Sequence, residues 1–245
     1  MSSVRPIGDR INQLISASAR IGFDCTQFGT VGSWPLIAFT RAGSRPEPRQ
    51  IYLSAGIHGD EPAGPQAILE LLLSDALPRT HSYYICPVLN PAGLAMSKRE
   101  NPQGIDLNRD YRDFRSAEIQ AHAQWIARSG IQSLDLSIHL HEDWESTGFY
   151  LYELNFTNQP GYAENILIST SQHIPTETAP IIDGREAQNG IIRPKTLPEI
   201  EEGHPEAIYF QQKFGGINYT LETPSSLPIQ RRVDCLKAAV MSAIN

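Results

Sequence analysis

The sharpest chemical feature of the chain is the segment Gly56-Ile57-His58-Gly59-Asp60-Glu61, which sets an imidazole and a carboxylate three residues apart in a glycine-containing turn. That spacing can bring both groups to one cation at about 2.0–2.2 Å, the distance at which zinc takes nitrogen and oxygen ligands. An isolated HxxE is more often a loop histidine beside a first-turn glutamate that complements the helix dipole, so a third ligand has to be found elsewhere. His139 and His141 stand at the end of the run beginning at Ser133, on one face of a strand if the strand continues that far. Only one is needed, because a catalytic zinc keeps its fourth position for water.

Further groups suit an anionic substrate beside such a cation. Arg99-Glu100-Asn101-Pro102-Gln103-Gly104-Ile105-Asp106-Leu107-Asn108-Arg109 offers two guanidinium groups and an amide. A guanidinium fork matches a carboxylate, and an asparagine adds a neutral donor. Asp106 can orient a metal-bound histidine from behind. In Asn218-Tyr219-Thr220-Leu221-Glu222 the terminal Glu222 can accept a proton from metal-bound water.

The elements that must position these residues are legible from periodicity. Apolar residues at helical spacing predict a helix over Asp9–Gly22, and strands are expected at Leu36–Thr40 and Ile51–Ala55, joined by a Pro/Gly-containing hairpin loop at Ala42–Arg49. Pro62–Ser74 reads as a helix with proline in its first turn, Ser82–Leu89 as a buried strand, and Ala92–Phe114 as irregular. A helix over Arg115–Arg128, a strand over Ser133–Leu140, a strand over Phe149–Leu154 and a helix over Tyr162–Gln172 follow. Ile174–Gly216, rich in Pro, Gly and Glu, reads as a long functional loop, before a last strand at Ile217–Leu221 and a closing helix at Ile229–Ala243. The alternation predicts an α/β fold of one domain spanning residues 1–245, with a mixed, mostly parallel sheet, helices on both faces and chemistry at the strand ends.

The ordered set HGDE, RxNxxGxDLNR, SIH and a strand-terminal TLE resembles the carboxypeptidase A-like zinc metallopeptidases over about residues 50–225. The resemblance implies one zinc ion per chain held by His58, Glu61 and His139, with His141 as the second choice for the third ligand. It implies Glu222 as general base and proton shuttle, Arg99 polarising the scissile carbonyl, and Asn108 with Arg109 gripping the terminal carboxylate. Asp106 becomes the partner of His58. The family's mobile tyrosine has no clear equivalent: Tyr209 is the nearest candidate and Tyr219 lies too close to Glu222. The nearest alternative is an acyl-amino-acid hydrolase resembling succinylglutamate desuccinylase or aspartoacylase, which share the GIHGDEP and DLNR elements. A non-catalytic carboxylate-binding module is a further alternative.

Composition narrows the classes. With 40% hydrophobic and 19% charged residues in 245, the chain is an ordinary globular protein. A net charge of -7 without a Lys/Arg-rich stripe disfavours nucleic acid and anionic membrane as partners, leaving a peptide or small amide with a free carboxylate. No run approaches the roughly 18 apolar residues of a membrane helix, and Met1–Arg20 lacks the features of a secretory leader, so a cytoplasmic location is expected. Cys25, Cys86 and Cys235 are scattered and without CxxC spacing, which suggests reduced bystanders. No GxSxG motif supports a serine hydrolase.

Overall fold

The computed structural model describes residues 7–198 and 203–245. Its strands are built on period-two alternation. In β3 (Gln50–Ala55), Ile51, Leu53 and Ala55 enter a large apolar core, while Tyr52 enters a second core on the opposite side of the sheet. β5 (Leu136–Asp143) sends Leu136, Ile138 and Leu140 into the large core, and β10 (Ile217–Pro224) sends Ile217, Tyr219 and Leu221 there. Side chains alternate across a strand, so Ser137, His139 and His141 of β5 and Asn218, Thr220 and Glu222 of β10 share the other face. That stripe of polar residues climbs the middle of the sheet towards the strand ends.

The sheet has eight strands in the order β1 (Asp24–Val31), β2 (Trp34–Arg41), β4 (Ser82–Cys86), β3, β5, β10, β6 (Tyr150–Asn155) and β9 (Ile191–Ile192). β4, β3, β5 and β10 run parallel. At one edge β1 and β2 form an antiparallel hairpin; beyond β10, β6 is antiparallel and β9 parallel to β6. Helices α1 (Ile7–Arg20), α2 (Ala63–Leu73), α5 (Ala163–Thr170) and α7 (Ile229–Ile244) close the large core with residues such as Leu14, Ile68, Ile166 and Leu236. Each such fully buried side chain stabilises by about 1.5–3 kcal/mol relative to exposure. On the opposite face α4 (Ala117–Arg128) and α6 (Glu206–Phe214) contribute Ile119, Trp125, Ile126, Phe210 and Phe214. The expected α/β class, mixed sheet and two-sided helical cover are all present.

The structure corrects several local expectations. Residues 42–49 do not close a hairpin, because β4 lies between β2 and β3; the hairpin is β1–β2, and β1 was not foreseen. The stretch 92–114 is not wholly irregular: the short helix α3 (Pro91–Met96), capped by the Asn90 side chain, runs into it, and a 3-10 turn lies at Leu107–Arg109. The long loop from Ile174 to Gly216 contains the hairpin β7 (Ile181–Ile182) and β8 (Arg185–Glu186), strand β9 and helix α6. Among the described residues no helix is long and apolar enough to cross a membrane.

Candidate metal centre and substrate cleft

His58 and Glu61 occupy the turn between β3 and α2, at the carboxyl end of a central strand. The turn needs its glycines: Gly56 has φ +63, and a side chain on Gly59 would overlap the backbone of Gly93. Glu142, next to His141, accepts from the Ala63 N–H at 2.6 Å at the start of α2 and contacts Arg232, tying the end of β5 to the helix that follows Glu61. The sheet thereby brings the His58–Glu61 turn against the end of β5.

The result is a buried group that can hold a metal ion: one donor atom each from His58, Glu61 and His141, all within 4.8 Å of one another. His58 Nδ1 lies 2.6 Å from Glu61 Oε1, and His141 Nδ1 lies 3.0 Å from Glu61 Oε2. Behind the cluster, Asp106 Oδ1 is 3.2 Å from His58 Nε2, leaving Nδ1 to face Glu61. Two imidazoles and one carboxylate, with a cleft on the open side, fit the donor set of a catalytic zinc site, and a carboxylate on the remote histidine nitrogen fits its supporting shell.

His139, taken as the third ligand on resemblance, is not in this group. It lies on the same face of β5 as His141 but one pleat repeat earlier, beneath the cluster. There its Nδ1 lies 2.9 Å from Ser54 Oγ and 3.1 Å from Glu206 Oε2, and its Nε2 lies 3.2 Å from Asn218 Nδ2. β5 continues to Asp143, and that continuation carries His141 past the end of β3 at Ala55 to reach Glu61.

The electrostatics are those of a tightly coupled anion–imidazole cluster. Burial pushes Glu61 up, but His58 and His141 outweigh it and hold the carboxyl down to about 2. Burial lowers His58, yet Glu61 and Asp106 together raise it to about 9. His141 is lowered by burial, against the pull of Glu61. Arg99 Nε donates to Asp106 Oδ2 at 3.1 Å, and its Nη1 stands 3.3 Å from His58 Nδ1 and 3.8 Å from Glu61 Oε1.

The cluster opens onto a cleft of about 480 Å³ bordered by Arg99, Asn108 and Arg109 and by Glu222, a size typical of small-ligand sites. Glu222 pairs in register with His141 on β5 and Tyr150 on β6. Its carboxyl is raised well above the usual range by burial and by Glu61, Asp143 and Asp183, against Arg99. The cleft also holds residues that the sequence reading missed. Tyr150 donates to Asp143 at 3.0 Å, and Tyr152 donates to Asp183 at the tip of the β7–β8 hairpin. Trp144 stands 78% exposed on the rim. Neither tyrosine considered from the sequence lies there: Tyr209 packs against Tyr111 and Phe210, and Tyr219 donates to Glu153.

Below the cluster, Glu206 is the other missed residue. It is 1% exposed and accepts from Tyr52 Oη at 2.6 Å and Ser54 Oγ at 2.9 Å, beside His139. Burial raises its carboxyl, but His139, His122 and the Tyr52 hydrogen bond hold it down to about 2 from an ordinary 4.5. A depressed carboxyl contributes stability that is fully present above its unfolded pKa and is lost as pH falls through the folded one. Thermal melting followed between pH 4.5 and 2 is therefore expected to show a steep loss of stability, and Glu206→Gln is expected to remove part of that slope.

A mixed sheet, parallel at its centre and covered by helices on both faces, is the fold this chain shares with solved metallopeptidases and metallo-carboxypeptidases. The fold matches a candidate metallopeptidase from Shewanella denitrificans with a TM-score of 0.85 at 23% identity, over 97% of this chain and 89% of that one. It also matches a metallo-carboxypeptidase from Pseudomonas aeruginosa, solved with (2-guanidinoethylmercapto)succinic acid, with a TM-score of 0.69 at 16% identity, over 96% and 67% of the two chains. By sequence the chain belongs to the succinylglutamate desuccinylase/aspartoacylase catalytic domain family, whose profile matches residues 47–180, more than half of its length. It is also 33% identical over 115 residues to carboxypeptidase SOL1 of Arabidopsis thaliana, covering 38% of this chain and 23% of that protein. The chain thus spans about a quarter of the curated relative it matches.

Proposed function

We propose that this chain is a zinc-dependent hydrolase of an amide bond that lies next to a free carboxylate, acting as a metallocarboxypeptidase on peptide C termini. The observation that carries the reading is the buried His58, Glu61 and His141 donor set opening onto a cleft bordered by Arg99, Asn108, Arg109 and Glu222. Zinc bound there would supply a water of lowered pKa and polarise the carbonyl oxygen. Glu222 holds the proton taken from the attacking water and returns it to the leaving amine. Arg99, braced by Asp106, puts positive charge beside the carbonyl oxygen as it becomes negative, a contribution often worth several kcal/mol. Asn108 and Arg109 bind the carboxylate and so fix which amide reaches the cluster.

The family membership favours a second reading, an N-acyl amino acid as substrate. The bond cleaved and its neighbouring carboxylate are the same in both, and what differs is the acyl side. The exposed Trp144 at the rim gives a longer peptide something to lie against, which favours the peptidase. The test incubates the protein, with and without a zinc chelator, with free-acid peptides, their C-terminal amides and N-acyl amino acids, and follows products by mass spectrometry. Chelator-sensitive release of the last residue from free-acid peptides alone is expected. Cleavage of the acyl amino acids alone would move the answer to the second reading, and no cleavage of any substrate would leave a carboxylate-binding module.

A further inference from the structure

We propose that Glu206, buried beneath the metal cluster, is a positioning residue that sets the substrate-carboxylate grip by fixing the orientation of the Asn108 amide. The backbone N–H of Glu206 donates to Asn108 Oδ1 at 2.9 Å. With its oxygen turned to that N–H, the amide turns its NH₂ the other way, and an NH₂ group recognises an anion. The residues just before Glu206 are stitched to the same segment: His204 N–H donates to the Arg109 carbonyl at 2.9 Å, and Tyr111 N–H donates to the His204 carbonyl at 3.2 Å. The strap His204-Pro205-Glu206 therefore holds both residues of the proposed grip, Asn108 and Arg109, through their main chain or amide oxygen.

What holds the strap is the Glu206 carboxylate, and the direction of every hydrogen bond around it follows from donor and acceptor inventory. Asn218 Nδ2 donates to His139 Nε2 at 3.2 Å, so the ring's Nδ1 is left as the donor towards Glu206 Oε2 at 3.1 Å. From the other side, Tyr111 Oη donates to His122 Nδ1 at 2.7 Å, His122 Nε2 donates to Tyr52 Oη at 3.1 Å, and Tyr52 donates to Glu206 Oε1. Ser54 adds a third donor. Both relays end at Glu206, which has to be a pure acceptor on both oxygens. Glutamine cannot be, because whichever way its amide turns, the NH₂ meets a donor, Tyr52 on one side or Ser54 and His139 on the other. His139 thus serves the site from below, through Glu206 and Asn108.

This inference rests on the hydrolase reading for the role of Asn108, and its test separates the two. In a Glu222→Gln background that leaves substrate intact, zinc-loaded protein is titrated calorimetrically with N-acetyl dipeptides and N-acetyl amino acids as free acids and as carboxamides. Glu206→Gln is expected to weaken the free acids by about 10- to 100-fold, the size of losing a charge-assisted contact, with little change for carboxamides and full zinc content. Added to Asn108→Ala, it is expected to cost almost nothing more, because both act through one group. Tyr52→Phe and Ser54→Ala, which each remove one donor to the carboxylate, carry the same test with a smaller selective loss if Glu206→Gln does not fold. Equal weakening of acids and amides, no weakening, or full additivity with Asn108→Ala would overturn the positioning role, as would a parent protein that does not prefer free acids. Selective binding without turnover in the Glu222-containing protein would overturn the hydrolase reading and leave the positioning role standing.

Discussion

Glu222→Gln is expected to lower kcat by about 10²- to 10⁴-fold, the range for a lost general base, while zinc content stays at one per chain. The substitution keeps the size of the side chain and removes only its ability to take a proton. Glu222 occupies the position on β10 opposite His141, on the polar face of the strand where it emerges into the cleft. Burial and the neighbouring Glu61, Asp143 and Asp183 raise its carboxyl well above the usual range, which favours the protonated form. A dication held by Glu61 and the two imidazoles would reverse that balance, because a bound cation is the largest local charge and inverts the pKa logic around it. On the proposed mechanism, Glu222 would therefore act as a base only in the zinc-loaded protein. The acidic limb of the pH profile of kcat/KM is expected to disappear in Glu222→Gln along with the rate. A variant that keeps turnover within about tenfold of the parent, less than the smallest effect of losing a general base, would remove Glu222 from the mechanism.

How much of this was legible depends on where each residue's partners lie in the chain. The His58–Glu61 turn could be read directly, since a strand, a glycine-containing turn and a helix follow one another within a short segment and the two donors are three residues apart. The sheet class was legible because Ile51, Leu53, Leu136, Ile138 and Leu140 advertise buried strands. β1 was missed because its side chains are mostly exposed and carry no apolar alternation. The end of β5 was placed too early for a related reason: Ser137, His139 and His141 are buried polar residues, and a polar residue at a strand end looks like solvent exposure to any reading based on hydropathy. Glu206 had no sequence signal. Its partners Tyr52 and Ser54 lie 154 and 152 residues away, and an acidic residue after proline at a helix start reads as an ordinary helix N-terminus.

Both histidines of β5 lie on the same polar stripe, and mutagenesis separates their roles. His141→Ala is expected to abolish stoichiometric zinc binding, because a catalytic site has three protein ligands and His141 is one of the three donors within 4.8 Å. The loss should exceed the roughly 10- to 100-fold that changes to supporting residues produce. His139→Ala leaves those three donors in place. Its cost falls on the network beneath, where Glu206 loses the contact that most lowers its pKa and Asn218 loses an acceptor, so the expected effect is a lower melting temperature with zinc affinity reduced by no more than about 100-fold. Competition against a calibrated chelator gives the affinities, and melting in the presence of the chelator separates fold from metal. Loss of zinc in His139→Ala together with its retention in His141→Ala would restore the ligand set implied by the SIH resemblance and would require β5 to end one pleat earlier than it does here. The spacing argues against that outcome, since shortening β5 would also withdraw Glu142 from the start of α2 and leave the turn that carries His58 and Glu61 without its anchor.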